Sequence, residues 1–351
     1  MNDLLLLRIK KIISETKDTV TFILESVELN KLITYEAGQF LTFIFNMNGR
    51  EIRRSYSLSS APGIDEDLAV TVKRVQNGEV SRYLFETVKE GEVLRSLLPA
   101  GRFTVQPDPA LPRDVFLFGA GSGIVPLFSI LKTVLAMEPQ SHIHLICSNH
   151  NEDSIIFREQ LKDLKKIYKD RFDSLYLLSN PVSETADVVH AHLNSLLLEE
   201  LIAKYIQYDK SQCVFYVCGP FAYMRMVMIT LPVLEFRREQ IHKEAFLTEV
   251  NEAEPKVPSA NIAAEVKILK GDKIYELFVP AGKTILRTAL AKGFQLPYSC
   301  ETGICSTCAA YCIEGKVGMS VNEVLTEKDL SEGLVLTCTG YPVTEFVEIR
   351  F

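Results

Sequence analysis

The chain has 351 residues, 47% of them hydrophobic, with a net charge of −7 and a pI near 5.6. This length predicts two or three domains with well-filled cores. The acidic balance excludes a general nucleic-acid binder. The leucine run Leu4–Leu7 is too short for a signal peptide, and Arg8, Lys10 and Lys11 lie on its wrong side. The longest uncharged stretch, Val115–Leu131, is broken by Gly119, Gly121, Gly123 and Pro126. It reads as strand–loop–helix, so no membrane association is expected. Eight cysteines without a secretory signal point to reduced thiols and a cytoplasmic location.

Up to about residue 105, short β-rich runs alternate with turns: Thr19–Leu24, Gln39–Phe45 and Leu68–Arg74. Their spacing predicts a small antiparallel barrel. The pattern then becomes strand–helix–strand. Val115–Phe118, His142–Cys147, Leu175–Ser179 and Val214–Cys218 are short apolar strands, separated by helical segments such as Ile155–Tyr168. That alternation predicts a doubly wound α/β domain. The polar stretch Asn251–Ser259, with Pro255 and Pro258, reads as a linker. Beyond it come the strands Glu265–Leu269 and Ile274–Val279, the helix Thr284–Lys292, a cysteine-rich loop and a final strand. The expected organisation is multidomain: residues 1–106, 107–250, a linker at 251–261, and 262–351.

Arg54-Ser55-Tyr56-Ser57 ends a strand of the barrel region. An arginine fork suits a pyrophosphate, a tyrosine ring suits a flat aromatic system, and a serine hydroxyl suits a ring nitrogen. Here the chain resembles the ferredoxin–NADP reductase superfamily, whose flavin motif is Arg-x-Tyr-Ser. The resemblance implies that Arg54, Tyr56 and Ser57 bind flavin, with Ser57 at N5, where hydride arrives. It also implies that Val72 and Lys73, in Thr71-Val72-Lys73-Arg74, line the flavin. Gly78, Val80 and Ser81 then open a helix over Arg82–Val88, with Ser81 as its cap, and receive the diphosphate at its N-terminus. Pro99-Ala100-Gly101-Arg102-Phe103 matches the family's closing turn of the barrel. Taken singly, each piece also reads as an ordinary strand end, cap or turn.

Phe116–Pro126 is a strand, a glycine-rich turn and a helix start. Gly119, Gly121 and Gly123, followed by Pro126, depart from the Rossmann dinucleotide spacing. They are similar to the superfamily's Gly-x-Gly-x-Gly-x-x-Pro. The resemblance implies that Cys218, Gly219 and Pro220 lie beside the nicotinamide, and that Glu244 and Phe246 approach the flavin. Ser57 and Cys218 are thereby the candidate catalytic residues. The place where a 2′-phosphate usually finds an arginine reads Ser148-Asn149-His150, and the next candidate is Asn180. This leans toward NADH, with Arg158 and Arg171 as possible substitutes. His142, His144, His190 and His192 are expected to be structural or surface groups.

Cys300, Cys305 and Cys308 follow Cys-x4-Cys-x2-Cys, and Cys338 comes from a later segment. That is the plant-type [2Fe–2S] ligand spacing, with two thiolates for each iron. A structural zinc site is the alternative, but only one Cys-x2-Cys pair is present. Cys147 and Cys213 read as inert core residues, and Cys312 is not needed as a ligand. The order flavin, nicotinamide, ferredoxin is similar to that of phenylacetyl-CoA epoxidase reductase subunits and phthalate dioxygenase-type reductases. Ser154–Leu161 and Gly333–Cys338 look most like the phenylacetate-degradation type. The resemblance implies a flavin β-barrel, an α/β nicotinamide domain and an α+β ferredoxin-like (β-grasp) domain. It implies FAD rather than the FMN of phthalate-type reductases, NAD(P)H as co-substrate, and electron delivery through [2Fe–2S] to an oxygenase of the multicomponent di-iron type. A reductase for another oxygenase and a redox-sensing or electron-storage module are the alternatives.

Overall fold

The computed structural model describes residues 4–28, 33–183, 185–246, 258 and 261–351. The chain divides into two compact units, Met1–Thr248 and Glu249–Phe351. Of the expected linker 251–261, all but Pro258 and Asn261 lies outside the described residues. Among the described residues no helix is long and apolar enough to cross a membrane.

The first unit opens with β1 (Leu4–Thr16), β2 (Thr19–Ser26), β3 (Phe40–Met47), β4 (Arg50–Ser57), β5 (Leu68–Lys73), α1 (Glu79–Glu86) and β6 (Val93–Leu97). The strands form an antiparallel sheet in the order β4-β3-β6-β1-β2-β5. Leu58 bridges Val70, and the Ser59 N–H donates to the Ala69 carbonyl at 2.9 Å, so the two edges meet and the barrel closes. Closure removes the edges that would otherwise invite pairing with other chains. Alternation along β1 sends Leu5, Leu7 and Ile9 inward to meet Phe22, Leu41 and Phe43. Helix α1 adds Val80 and Leu84 to that core. It starts at Glu79 rather than at Arg82, because its N-cap is Gly78.

The same unit continues with β7 (Asp114–Ala120), α2 (Ile124–Met137), β8 (His142–Asn149), α3 (Arg158–Ile167), β9 (Phe172–Leu178), β10 (Val188–His190), α4 (Ser195–Tyr205), β11 (Cys213–Cys218), α5 (Phe221–Val233) and β12 (Ile241–Glu244). All six strands run parallel in the order β10-β9-β8-β7-β11-β12. Helices α2 and α3 pack Val125, Leu131 and Leu161 on one face, and α4 and α5 pack Leu198, Val227 and Leu231 on the other. The strands are therefore apolar on both sides, as parallel strands covered by helices must be. Ile155-Ile156-Phe157, read from sequence as helix, is a buried approach to α3 that ends with Phe157 at φ 61°.

The second unit contains β13 (Ala264–Lys270), β14 (Lys273–Val279), α6 (Ile285–Ala291), β15 (Ala309–Glu314), β16 (Val317–Met319), α7 (Glu327–Ser331), β17 (Leu334–Leu336), β18 (Gly340–Pro342) and β19 (Phe346–Arg350). Its main sheet has the order β14-β13-β19-β15-β17, with β13 and β19 parallel, and β16 pairs with β18. Ile285, Leu286 and Ala289 of α6 pack with Val266, Ile268, Val347 and Ile349. This is the α+β β-grasp arrangement.

In the parallel sheet the strand order reverses at β7, where β8 lies on one side and β11 on the other, and the chain leaves no room there. A Cβ on Gly123 would sit 2.1 Å from the Cys218 carbonyl oxygen. Cys218 is held in the ladder on both sides and Gly123 in the turn that leads directly into α2, so neither can easily swing aside. Gly123→Ala is expected to lower stability by about 3 kcal/mol or more, in the range of severe overpacking. Gly119→Ala, whose nearest obstacle at 3.1 Å is the Leu127 side chain, should cost less. Chemical denaturation of both variants checks the ranking.

Candidate active site and iron–sulfur loop

The glycine turn lies at this reversal, where open parallel sheets place their ligands. β7 delivers Gly119, a single tight turn carries Gly121 and Gly123, and α2 follows directly. Gly121 has φ +57° and open space on its Cβ side, so its backbone is approachable. The Ile124 N–H is taken by the Gly121 and Ser122 carbonyls, and the start of α2 that follows carries the positive end of the helix dipole. Pro126 falls in that first turn, where a missing N–H costs little. Across the gap, Gly219 is held close to Ala120, a Cβ there falling 2.9 Å from the Ala120 Cβ. Pro220 is the N-cap of α5. Tyr223, one turn into α5, donates its hydroxyl to the Gly119 carbonyl at 3.3 Å. The sequence carried no signal for Tyr223 beyond its place after Cys-Gly-Pro.

Cys218 is 0% exposed, and burial, aided by the nearby Glu244 carboxylate, pushes its thiol well above the ordinary range. It is therefore a neutral thiol and not a nucleophile. The register pairs Cys218 with Gly119 on one side and Glu244 on the other. Glu244 in turn accepts a hydrogen bond from the Ser57 hydroxyl, 3.2 Å from its Oε2. So Ser57 and Cys218, the two candidate catalytic residues, flank one carboxyl group. Burial lifts the Glu244 carboxyl to about 8, against a smaller lowering by the Ser57 hydroxyl. Between the ordinary carboxyl range and about 8, the folded chain holds a proton that the unfolded chain releases. Stability therefore falls as pH rises through that window, by at most about 1.4 kcal/mol per unit. Phe246 is partly buried and packs against the α2 side of the sheet.

On the barrel, Tyr56 lies half-buried with its ring 6.2 Å from that of Phe43, and burial raises its phenol far enough to keep it uncharged. Arg54 is exposed, with Nη1 on the Arg53 carbonyl at 2.8 Å. Val72 is buried, and Lys73 Nζ lies 3.6 Å from Asp18. Ser81 is not the cap that its position suggested. Its hydroxyl accepts from the Val75 N–H at 3.1 Å and donates to the Gly78 carbonyl at 3.4 Å, closing the loop before α1. The cap position belongs to Gly78, which has no side chain to offer. The donors left for an anion are the first N–H groups of α1, at Glu79, Val80 and Ser81. An exposed guanidinium, a half-buried ring, a buried hydroxyl and an open helix start suit a flavin with a diphosphate.

At the far end of β8, Asn149 Oδ1 is buried without a partner, and His150 Nδ1 lies 3.0 Å from Ser179 Oγ. Glu152, which sequence reasoning passed over, accepts from the Val182 and Ser183 N–H groups at 2.9 and 2.8 Å and pins that loop. Arg171 cannot substitute for the absent arginine. Its guanidinium donates to the carbonyls of Leu135, Glu138 and Ser141, at the C-terminal end of α2. Arg158 opens α3 and is half-buried. His144 is structural: Nε2 lies 2.9 Å from Asp114, which also accepts from the Gln207 and Tyr208 N–H groups.

In the second unit, Cys300, Cys305, Cys308 and Cys338 come together. Their thiols interact in the unbroken chain Cys305–Cys300–Cys338–Cys308. Among the described residues no three such side chains close on the position of a single ion. Four thiols gathered at the plant-type ligand spacing suit two irons that each take two thiolates. Left-handed backbone at Glu301, Gly303 and Ser306 wraps the loop. The Thr302 N–H donates to the Cys300 sulfur at 3.4 Å, and the Cys300 N–H to the Cys305 sulfur at 3.5 Å. Cys312 turns away, its thiol 3.5 Å from the Glu314 carbonyl.

Residues 6–105 match the oxidoreductase FAD-binding domain, 117–228 the oxidoreductase NAD-binding domain, and 270–343 the 2Fe-2S iron-sulfur cluster binding domain. The chain is 33% identical to one of the subunits of 1,2-phenylacetyl-CoA epoxidase from Escherichia coli (strain K12), over 98% of this chain and 97% of the relative. It is also 33% identical to the ferredoxin reductase component of 3-ketosteroid-9-alpha-monooxygenase from Rhodococcus rhodochrous, over 99% and 96%. Phthalate dioxygenase reductase shares the fold across 99% of this chain and 98% of its own, with a TM-score of 0.61 at 22% identity. An intact type IV self-sufficient cytochrome P450 monooxygenase matches with a TM-score of 0.73 at 20% identity, and there this chain spans 41% of the longer protein. The chain belongs to the ferredoxin–NADP reductase superfamily, among the oxidoreductases that join FAD-, NAD- and plant-type [2Fe–2S]-binding domains in one polypeptide.

Proposed function

We propose that this protein takes electrons from NAD(P)H and delivers them, through FAD and a [2Fe–2S] cluster, to an oxygenase component. The observation that carries the proposal is the convergence of Ser57, Glu244 and Cys218 beside the glycine turn, in the same chain as four clustered cysteines. FAD, when bound, accepts a hydride and passes electrons on singly. The chain binds, orients and shields. Residues 1–106 serve as the flavin domain, 107–250 as the nicotinamide domain and 262–351 as the ferredoxin domain, joined by 251–261. Arg54 and the first turn of α1 hold the diphosphate. Tyr56, Val72 and Lys73 line the flavin, and Ser57 meets its N5. Gly119, Gly121, Gly123 and Pro126 admit the nicotinamide nucleotide. Cys218, Gly219 and Pro220 exclude water at its reacting end, while Glu244 and Phe246 close the flavin side.

The electron acceptor is proposed to be a di-iron epoxidase of the phenylacetyl-CoA type, on the strength of near full-length similarity to a subunit of that enzyme. The comparably similar 3-ketosteroid monooxygenase reductase supports a second reading, in which another oxygenase is served. Reduced thiols at the four ligand positions suit a cytoplasmic setting.

Removing one cluster ligand separates the two redox sites. Cys305→Ser is expected to lose or destabilise the cluster and keep FAD. NADH oxidation with ferricyanide should stay near the wild-type rate, and cytochrome c reduction should fall about tenfold or more. Simultaneous loss of both activities would overturn the modular reading.

Binding and hydride transfer separate at the barrel motif. Arg54→Ala should weaken FAD retention about 10- to 100-fold, because a charge-assisted clamp is removed. Ser57→Ala should keep most of the FAD and slow its reduction by NADH about five- to tenfold, the worth of one hydrogen bond. Flavin content and stopped-flow reduction read the two effects independently.

Without an arginine near His150 or Asn180, and with Arg171 committed to α2, kcat/KM for NADH is expected to equal or exceed that for NADPH. A preference for NADPH of about 100-fold, near 2.7 kcal/mol, would contradict this.

A further inference from the structure

The hydroxyls around the four cysteines do not all do the same work. Thr337 Oγ donates to the Cys308 carbonyl at 2.9 Å, and Thr339 Oγ donates to the Val321 carbonyl at 2.8 Å. Thr339 is spent on holding backbone, whereas Thr337 also faces the Cys308 sulfur. Thr307 Oγ lies 3.4 Å from the Cys305 sulfur. Thr302 Oγ differs from all of these. It is buried and has no hydrogen-bond partner of ordinary geometry, and the polar group it interacts with is the Cys300 thiol. Thr302 also donates its backbone N–H to that same sulfur at 3.4 Å. A buried hydroxyl without a partner is unfavourable, because water that would satisfy it is excluded. The acceptor within its reach is the Cys300 sulfur, which accepts far better as a thiolate than as a thiol.

Backbone geometry holds the hydroxyl in place. Glu301 before it and Gly303 after it both have left-handed φ, 56° and 85°. A Cβ on Gly303 would fall 2.7 Å from the Val321 carbonyl, so that side of the loop is pressed against the neighbouring segment. The Gly303 carbonyl also accepts from the Glu323 N–H at 3.0 Å. Thr302 thus sits between two residues of constrained backbone, which fixes where its Cβ is placed.

We propose that Thr302 is a positioning residue for the redox potential of the iron–sulfur centre, its hydroxyl donating a hydrogen bond to the sulfur of Cys300 when that sulfur is a cluster ligand. This rests on the reading of the four cysteines as [2Fe–2S] ligands. Reduction adds negative charge to a centre whose sulfurs carry much of it, so a donor aimed at a ligand sulfur favours the reduced state. Low local polarity strengthens the effect. The outcome is a more readily reduced cluster, better placed to receive electrons from the flavin.

The experiment is an EPR-monitored redox titration of the holoenzyme for wild type, Thr302→Val and Thr302→Ser, with the flavin potential in the same sample as internal reference. Valine keeps the shape and removes the donor; serine keeps the donor. Thr302→Val is expected to shift the one-electron equilibrium about three- to tenfold toward the oxidised cluster, tenfold being 59 mV. Thr302→Ser should stay within about twofold of wild type. Equal potentials in wild type and Thr302→Val, or an equal drop in both variants, would overturn the proposal. Should the valine variant lose its cluster, Thr302→Ala against Thr302→Ser decides by the same titration. Wild-type protein without a [2Fe–2S] EPR signal would instead refute the ligand reading, which keeps the two failures apart.

Discussion

The close approach of Gly123 to the Cys218 carbonyl is the constraint on which the first unit's site depends. It brings the ends of β7 and β11 within touching distance, so the glycine turn and the Cys-Gly-Pro turn form the two sides of one crevice. Any side chain at Gly123 would wedge the strands apart. The register then carries the effect outward. With Cys218 opposite Gly119, β12 necessarily places Glu244 beside Cys218. The close contact shapes the crevice where the strand order reverses, and the β11–β12 register sets the carboxyl of the half-buried Glu244 at its edge.

The barrel is tied to this crevice by polar contacts that no local sequence feature announces. Ser57 reaches Glu244, Ser129 Oγ donates to the Ser60 carbonyl at 2.6 Å, and Lys132 pairs with Asp65. Phe103 from the barrel's closing turn packs edge-on against Tyr216 of β11, centroids 5.4 Å apart. These contacts carry the strand that bears Arg54, Tyr56 and Ser57 to the side of the sheet where the glycine turn opens. The buried Glu244 carboxyl is the electrostatic cost of that arrangement. A group that holds its proton to about 8 can donate as well as accept a hydrogen bond at neutral pH, which a surface carboxylate cannot.

The second unit solves a different problem with similar means. Four thiolates packed together are unfavourable unless something shares their charge, and the loop invests left-handed backbone and N–H donors in assembling the cysteines. Three of the thiols come from one loop, and Cys338, from the segment after β17, reaches both Cys300 and Cys308.

Much of this was legible in the sequence, because the relevant chemistry is written in short spacings. The four-cysteine pattern, Arg-x-Tyr-Ser, the glycine turn with its proline and Cys-Gly-Pro each constrain backbone over a few residues, and local constraints survive without a fold. The alternation of strands and helices likewise announced barrel, doubly wound sheet and β-grasp. What stayed hidden depends on contacts between residues far apart in the chain. The start of α1 was misjudged because Ser81 resembles a cap, whereas its hydroxyl is drawn back to Val75 by the loop's own geometry. Arg171 looked available until the fold carried it to the carbonyl end of α2. Glu152, Tyr223 and the orphan hydroxyl of Thr302 have ordinary sequence surroundings, and only burial gives them meaning. The sequence by itself determined which chemistries the chain can host. The tertiary structure decided which side chains are desolvated together, and desolvation turns an ordinary serine, glutamate or threonine into part of a site.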